Sequence, residues 1–301
     1  MSLPQTEMTP RMGRCIDAMS SADAAAALIA GQIDAASSVM GARAGIVEAA
    51  QLSAATLRSG GALNYVAAGS SGLMALSDGS ELAGTFGIAQ DQVRIFMAGG
   101  VPVDGIMPGD TEDDVSEAEG IVNSFGGADL VIALSASGTT AYPVAVARHA
   151  RQKGIKVVAI TNNPGTPLQA MADVAVVLET PPEVLAGSTR LGAGTAQKIV
   201  LNSISTLAGV MLGHIHNGMM VNLKADNTKL RMRARAIVAK SAGVSGDAAE
   251  RALQTAQGDT KLAVLLAAGC TIKTATQLLV THGGFLKPCL DAICYDNGPQ
   301  Q

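Results

Sequence analysis

Aromatic residues are nearly missing from this chain, which has no tryptophan, three tyrosines and four phenylalanines in 301 residues. It therefore has few rings on which bases could stack, and a formal net charge of −4 leaves no basic footprint for a phosphate backbone. No nucleic-acid partner is expected. Cysteine is equally sparse: Cys15, Cys270, Cys289 and Cys294 show neither a disulfide spacing nor a Cys-x-x-Cys pair, so all four read as ordinary thiols. Long unbroken apolar runs are wanting too, which argues against a membrane span. The opening residues, MSLPQTEMTPRMGRCIDAMSSAD, lack the continuous apolar core of a secretory leader. The expectation is a soluble, cytoplasmic chain whose partner is a small molecule.

What is present is apolar and glycine-punctuated. A hydrophobic content of 48% against 15% charged residues argues against disorder, and the length predicts one large domain with an appendage, or two domains. Residues 16–57 are Ala-rich with helical spacing and no proline, and predict two or more helices. From Leu63 the texture changes to short apolar runs, each followed by a Gly/Ser turn and a helical stretch: 63–67, 93–97, 130–134, 157–160 and 174–178. Nearly continuous apolar strands alternating with helices predict an α/β fold, a three-layer doubly wound parallel sheet with ligands at the strand C-termini. Residues 193–212 read as a buried helix, on the sheet and at a dimer interface. Beyond Ser241 the strands stop. Helical pieces at 247–256, 260–268, 272–280 and 285–292 are divided by Gly258, Gly269 and Gly283-Gly284, which fit helix C-caps. The predicted division is residues 1–240 for the α/β domain and 241–301 for a small helical domain.

Two loops carry chemistry. Ser135-Ala136-Ser137-Gly138-Thr139-Thr140 follows the run Asp129 to Leu134 and opens a helical segment. Hydroxyls and free backbone N–H groups at a helix N-terminus attract an anion. Ala68-Gly69-Ser70-Ser71-Gly72 repeats the arrangement after the first strand. Either loop alone is equally what a turn requires, but together, after two strands of one sheet, they predict a phosphate cradle. Neither has the Gly-Lys-Ser/Thr of a Walker loop or the Gly-x-Gly-x-x-Gly of a dinucleotide fold, which disfavours nucleotides. Glu112 opens the acidic run Glu112-Asp113-Asp114 and reads as the start of a helix after the second strand, where it could serve catalysis or only the helix dipole. Glu81 follows the first loop and could equally be a solvated helix residue. His214 and His216 have the spacing of a strand-borne pair without a third ligand, so no metal site is expected, and His282 reads as a helix-end residue.

The segments Val66 to Gly72, Asp78 to Gly87, Thr111-Glu112-Asp113-Asp114, Ala136-Ser137-Gly138, Gly187 to Lys198 and His282-Gly283-Gly284-Phe285 together resemble the N-acetylmuramic acid 6-phosphate etherases, within the sugar isomerase (SIS) superfamily. The resemblance runs from about residue 6 to 291, and the Gly187–Lys198 block is its most specific part. It implies a cytoplasmic homodimeric lyase that needs no metal or organic cofactor. Such a lyase cleaves the D-lactyl ether of a 6-phosphorylated amino sugar. It further implies that Glu81 is the acid for lactate departure and Glu112 the base at C2. Ser70, Ser71, Ser135, Ser137 and Thr140 would hold the phosphate, and Ser188, Thr189 and Arg190 would lie near the sugar. An aldose–ketose isomerase and a noncatalytic sugar-phosphate sensor are the alternatives. Three basic positions of the family pattern are neutral here, as Leu73, Thr139 and Gly192.

Overall fold

The computed structural model describes residues 5–9, 15–223, 225 and 227–296. Helices α1 (Ser21–Ser38) and α2 (Arg43–Arg58) precede β1 (Leu63–Ala67), α3 (Gly69–Gly79), α4 (Leu82–Phe86) and β2 (Val93–Met97). There follow α5 (Ala118–Asn123), β3 (Leu130–Ser135), α6 (Ala141–Gln152), β4 (Lys156–Thr161), α7 (Pro167–Ala170) and β5 (Val174–Val177). The long α8 (Gly192–Met211) leads to a small hairpin, β6 (Ile215–His216) with β7 (Met219–Met220). The last helices are α9 (Thr228–Ala242), α10 (Gly246–Thr255), α11 (Thr260–Ala267), α12 (Ile272–Thr281) and α13 (Leu286–Asp296). By packing, the chain divides into two compact units, Met1–Ser80 with Asp91–Ser205, and Glu81–Gln90 with Thr206–Gln301.

In the first unit all five predicted strands form one parallel sheet in the order β2-β1-β3-β4-β5. Every residue of β1 and β3 is buried, and strands covered on both faces have no reason to alternate in polarity. Asp129 fixes the register at the N-terminal end of β1 and β3. Its carboxylate accepts from the backbone N–H of Ala62 (2.9 Å) and Gly126 (3.0 Å), and Arg94 pairs with it at 3.3 Å. On one face α5, α6 and the strands share a core that includes Val122, Phe125, Val131, Val146 and Leu168. α2 is Ala-rich because it lies close to the sheet: Ala49, Ala50, Ser53 and Ala54 are buried, and a Cβ on Gly45 would stand 2.9 Å from the Ala175 carbonyl oxygen. Residues Ser21–Arg58, joined by a short 3-10 turn, are long and apolar enough to cross a membrane by length and composition, although the inner face of α2 lies against β5. α3 is locked to β1 and to α8 through Asp78. That buried carboxylate accepts from the Tyr65 hydroxyl (2.9 Å), the Asn202 amide (2.7 Å) and the Ser205 hydroxyl (2.9 Å).

The second unit is larger than a 241–301 appendage. The boundary drawn from Gly243 and Gly246 falls at a tight corner, where Gly243 caps α9 in the left-handed region (φ 67°) and the Ser245 side chain caps α10. Ala234, Ile237 and Val238 of α9 share one core with Ala252 and Leu253 of α10, Val264 and Leu265 of α11, and Leu286 of α13. The glycines predicted as helix ends, Gly258, Gly269, Gly283 and Gly284, all have positive φ.

This unit contains a buried lysine. Lys261 of α11 is 7% exposed, and burial pulls its ammonium down to about 8 against the opposing charges of Asp259 and Cys289. A folded-state value below the unfolded one means that unfolding takes up a proton between about pH 8 and 10.5, so the charged lysine costs stability below that window. Lys261→Met should therefore raise the melting temperature at pH 7 by roughly 2–6 °C. The gain should fade as pH rises through the window in thermal melts, and an equal gain at pH 7 and pH 10.5 would rule out this account.

Candidate active site

The order β2-β1-β3 reverses direction between β1 and β3, because the chain leaves β1 toward β2 on one side and returns to β3 on the other. In open α/β sheets this switch point opens a crevice at the strand C-termini. Both Gly/Ser loops end there.

The first loop is the first turn of α3. Ala68 is its N-cap, Gly69 turns with φ 53°, and the first helical bond runs only from Gly72 N–H to Ala68 O, so the N–H groups of residues 69–71 have no partner within the helix. Ser71 is buried, Ser70 half-buried, and Leu73, in the place of a basic residue, is exposed.

The second loop is a ring of hydroxyls. Ser135 Oγ lies 2.8 Å from Thr140 Oγ1 and 3.3 Å from Ser137 Oγ, and accepts from the Gly138 N–H at 3.0 Å. Thr139 donates to Ser137 through both its hydroxyl (2.9 Å) and its N–H (3.2 Å). Gly138 (φ 72°) is required twice over, by its left-handed backbone and because a Cβ there would overlap Thr166. No charged side chain takes part in these bonds, so any phosphate held here is met by neutral donors.

Asn162 and Asn163, which sequence reasoning passed over, support this loop from the turn that follows β4. The Asn162 N–H (3.0 Å) and the Asn163 amide (2.9 Å) both donate to the Ala136 carbonyl. The same Asn163 amide donates to Thr6 Oγ1 at 3.1 Å, and Thr6 O accepts from Gly187 N–H at 3.1 Å. That chain of bonds brings the Gly187–Arg190 block to the same edge of the sheet. Ser188 and Thr189 are half-buried; Arg190 is exposed and forms no ion pair among the described residues, so it is no structural counter-ion there. The carboxylate of Glu183, also missed, is buried and caps α8 by accepting from Gly192 N–H (2.9 Å) and Ala193 N–H (2.8 Å). Its signal is the acidic residue before the Gly-rich block, a helix N-terminus.

Glu112 joins the two loops. Its carboxylate lies against Gly69, where a Cβ would overlap Oε1, and its carbonyl accepts from the Tyr142 N–H (3.1 Å) in the first turn of α6. It does not start a helix as predicted. It sits in a turn within the long connection after β2, and α5 begins only at Ala118, because Gly99, Gly100, Pro102 and Pro108 break up the intervening chain. Here Glu112 is exposed, free to face a ligand.

Glu81 belongs to the other packing unit. It is the exposed N-cap residue of α4, its carbonyl accepting from Thr85 N–H at 2.9 Å. In that unit His214 is pulled down to about 4, first by burial and then by the charge of Lys261, and stays neutral at physiological pH. Among the described residues no cluster of three metal-ligating side chains includes it. His282 is the C-cap of α12, the helix-end position expected.

Residues 112–205 match the SIS domain family. An N-acetylmuramic acid 6-phosphate etherase of Erwinia tasmaniensis is 42% identical over 81% of this chain and 81% of its own. One from Deinococcus radiodurans is 39% identical over 88% of each chain. A solved E. coli CFT073 protein shares the fold at 16% identity, with a TM-score of 0.51 over 66% of this chain and 97% of that one.

Proposed function

The chain belongs to the N-acetylmuramic acid 6-phosphate etherase family, and on that premise we propose that it is a carbon–oxygen lyase acting on N-acetylmuramic acid 6-phosphate. The observation that carries the reading is the Glu112 carboxylate lying at the first turn of α3, on the sheet edge that also bears the hydroxyl ring. In the opened sugar the C2 proton is acidified by the adjacent aldehyde. Glu112 takes that proton, the C3–O bond breaks, and Glu81 protonates the departing lactate oxygen. A C2=C3 double bond results. Water then adds, its hydroxyl to C3 and its proton to C2, giving N-acetylglucosamine 6-phosphate and D-lactate.

Ser70, Ser71, Ser135, Ser137 and Thr140 hold the phosphate by hydroxyl and backbone N–H donation, and Ser188, Thr189 and Arg190 line the sugar side. We place the enzyme in the cytoplasm as a homodimer. Ile29, Ile33 and Met40, each more than half exposed in or just after α1, support a second copy covering that face. Incubation with N-acetylmuramic acid 6-phosphate should release D-lactate in equimolar amount with N-acetylglucosamine 6-phosphate. An isomerised sugar without lactate, or binding without turnover, would overturn the assignment.

A further inference from the structure

Beside Glu112 the connection after β2 leaves a cavity of about 320 Å³, lined by Gly99, Gly100, Thr111, Asp114, Glu117 and Tyr142. Its residues 111 and 114 flank the proposed base. Tyr142 is 4% exposed, and its hydroxyl has no hydrogen-bond partner among the described residues. Burial, and after it the charge of Glu117, push that phenol up to about 12, so it is a donor throughout the physiological range. Asp114 accepts from Ser116 N–H at 2.9 Å through one oxygen, while the Glu117 carboxylate has no hydrogen-bond partner among the described residues. No lysine or arginine lines the cavity.

This wall discriminates between chemical groups. A carboxylate would meet two like charges and no cation, whereas a group with both an N–H and a carbonyl oxygen is matched by Glu117 and by Tyr142. A secondary amide with a short apolar end is such a group, and Gly100, beside which a Cβ would meet nothing within 4 Å, leaves room for that end. The sugar's own geometry brings one there: whatever carboxylate removes the C2 proton has the C2 substituent one bond away.

Resting on the reading of Glu112 as the C2 base, we propose that this cavity is the subsite for an N-acyl group on C2. Tyr142 is then a specificity-determining residue whose hydroxyl donates to the amide carbonyl, while Glu117 accepts from the amide N–H. Its volume admits acyl chains longer than acetyl.

The test compares binding of N-acetylglucosamine 6-phosphate, N-butanoylglucosamine 6-phosphate and glucose 6-phosphate by calorimetry. Wild type should bind both amides more tightly than glucose 6-phosphate. Tyr142→Phe keeps the backbone N–H that Glu112 uses and should weaken both amides by about 3- to 10-fold with glucose 6-phosphate unchanged. Glu117→Gln, a change at the solvent-exposed side of the cavity, should act on the same two ligands. Equal loss for all three ligands, or no amide preference in wild type, would overturn the subsite. If wild type prefers amides yet releases no lactate, the lyase reading fails and the subsite stands; lactate release without amide preference fails the subsite alone.

Discussion

Glu112→Gln is expected to lower D-lactate release by roughly 10²- to 10⁴-fold, the usual weight of a positioned general base. Solvent-deuterium exchange at C2 should stop with it. Glutamine has the same size and fits the same space against Gly69, so the loss is of proton affinity and not of packing. The hydroxyl ring is untouched, so thermal stabilisation by N-acetylglucosamine 6-phosphate should survive the substitution. That split separates a base from a residue that merely shapes the loop. C2 exchange at the wild-type rate in the variant would remove Glu112 from the mechanism.

Asp78→Ala should have the largest effect on stability. Asp78 accepts from side chains of β1 and α8 while sitting on α3, and among the described residues no cation neutralises it. Removing it strands the Tyr65 hydroxyl, the Asn202 amide and the Ser205 hydroxyl in the interior. One stranded buried donor costs about 1–3 kcal/mol, and because the three share one centre their costs do not simply add, giving about 3–5 kcal/mol in total. The melting temperature should fall by roughly 6–15 °C. Tyr65 marks how dry the place is: burial first, then the Asp78 charge, hold its phenol well above the ordinary value. Asp78→Asn, which keeps one acceptor but adds a donor, should fall between the two. A loss under about 1 kcal/mol for the alanine variant would mean that water replaces the carboxylate.

The strands were legible because a parallel strand covered on both faces is a nearly plain apolar run, as 63–67 and 130–134 are, while 93–97, the half-buried edge strand, keeps enough of the pattern despite Arg94. Their pairing was not legible. That β1 lies beside β3 follows from crossover geometry and from Asp129 reaching back to Ala62, a contact across 67 positions that no local pattern announces. The hydroxyl loops were readable as anion turns because Ser, Thr and Gly at a strand end leave donors free. Asn162, Asn163 and Glu183 were not, since a polar side chain that serves buried backbone looks in sequence like any loop residue. The extent of the helical unit escaped for a related reason. Residues 81–90 are too few to show periodicity, and Phe86 is assigned by what it meets, the Gly209 position of α8.

The place of β1 has a consequence for how the chain is made. It is the first strand of the sheet to leave the ribosome, yet both its neighbours, β2 and β3, are encoded after it, β3 more than sixty positions later. Until Leu130–Ser135 emerges, one edge of an entirely apolar-flanked strand has nothing to pair with. Parallel pairing across such a gap is slow to form and open to self-association meanwhile. A nascent chain of this protein is thus most vulnerable to aggregation in the interval of synthesis between β2 and β3, the stretch that also carries Glu112.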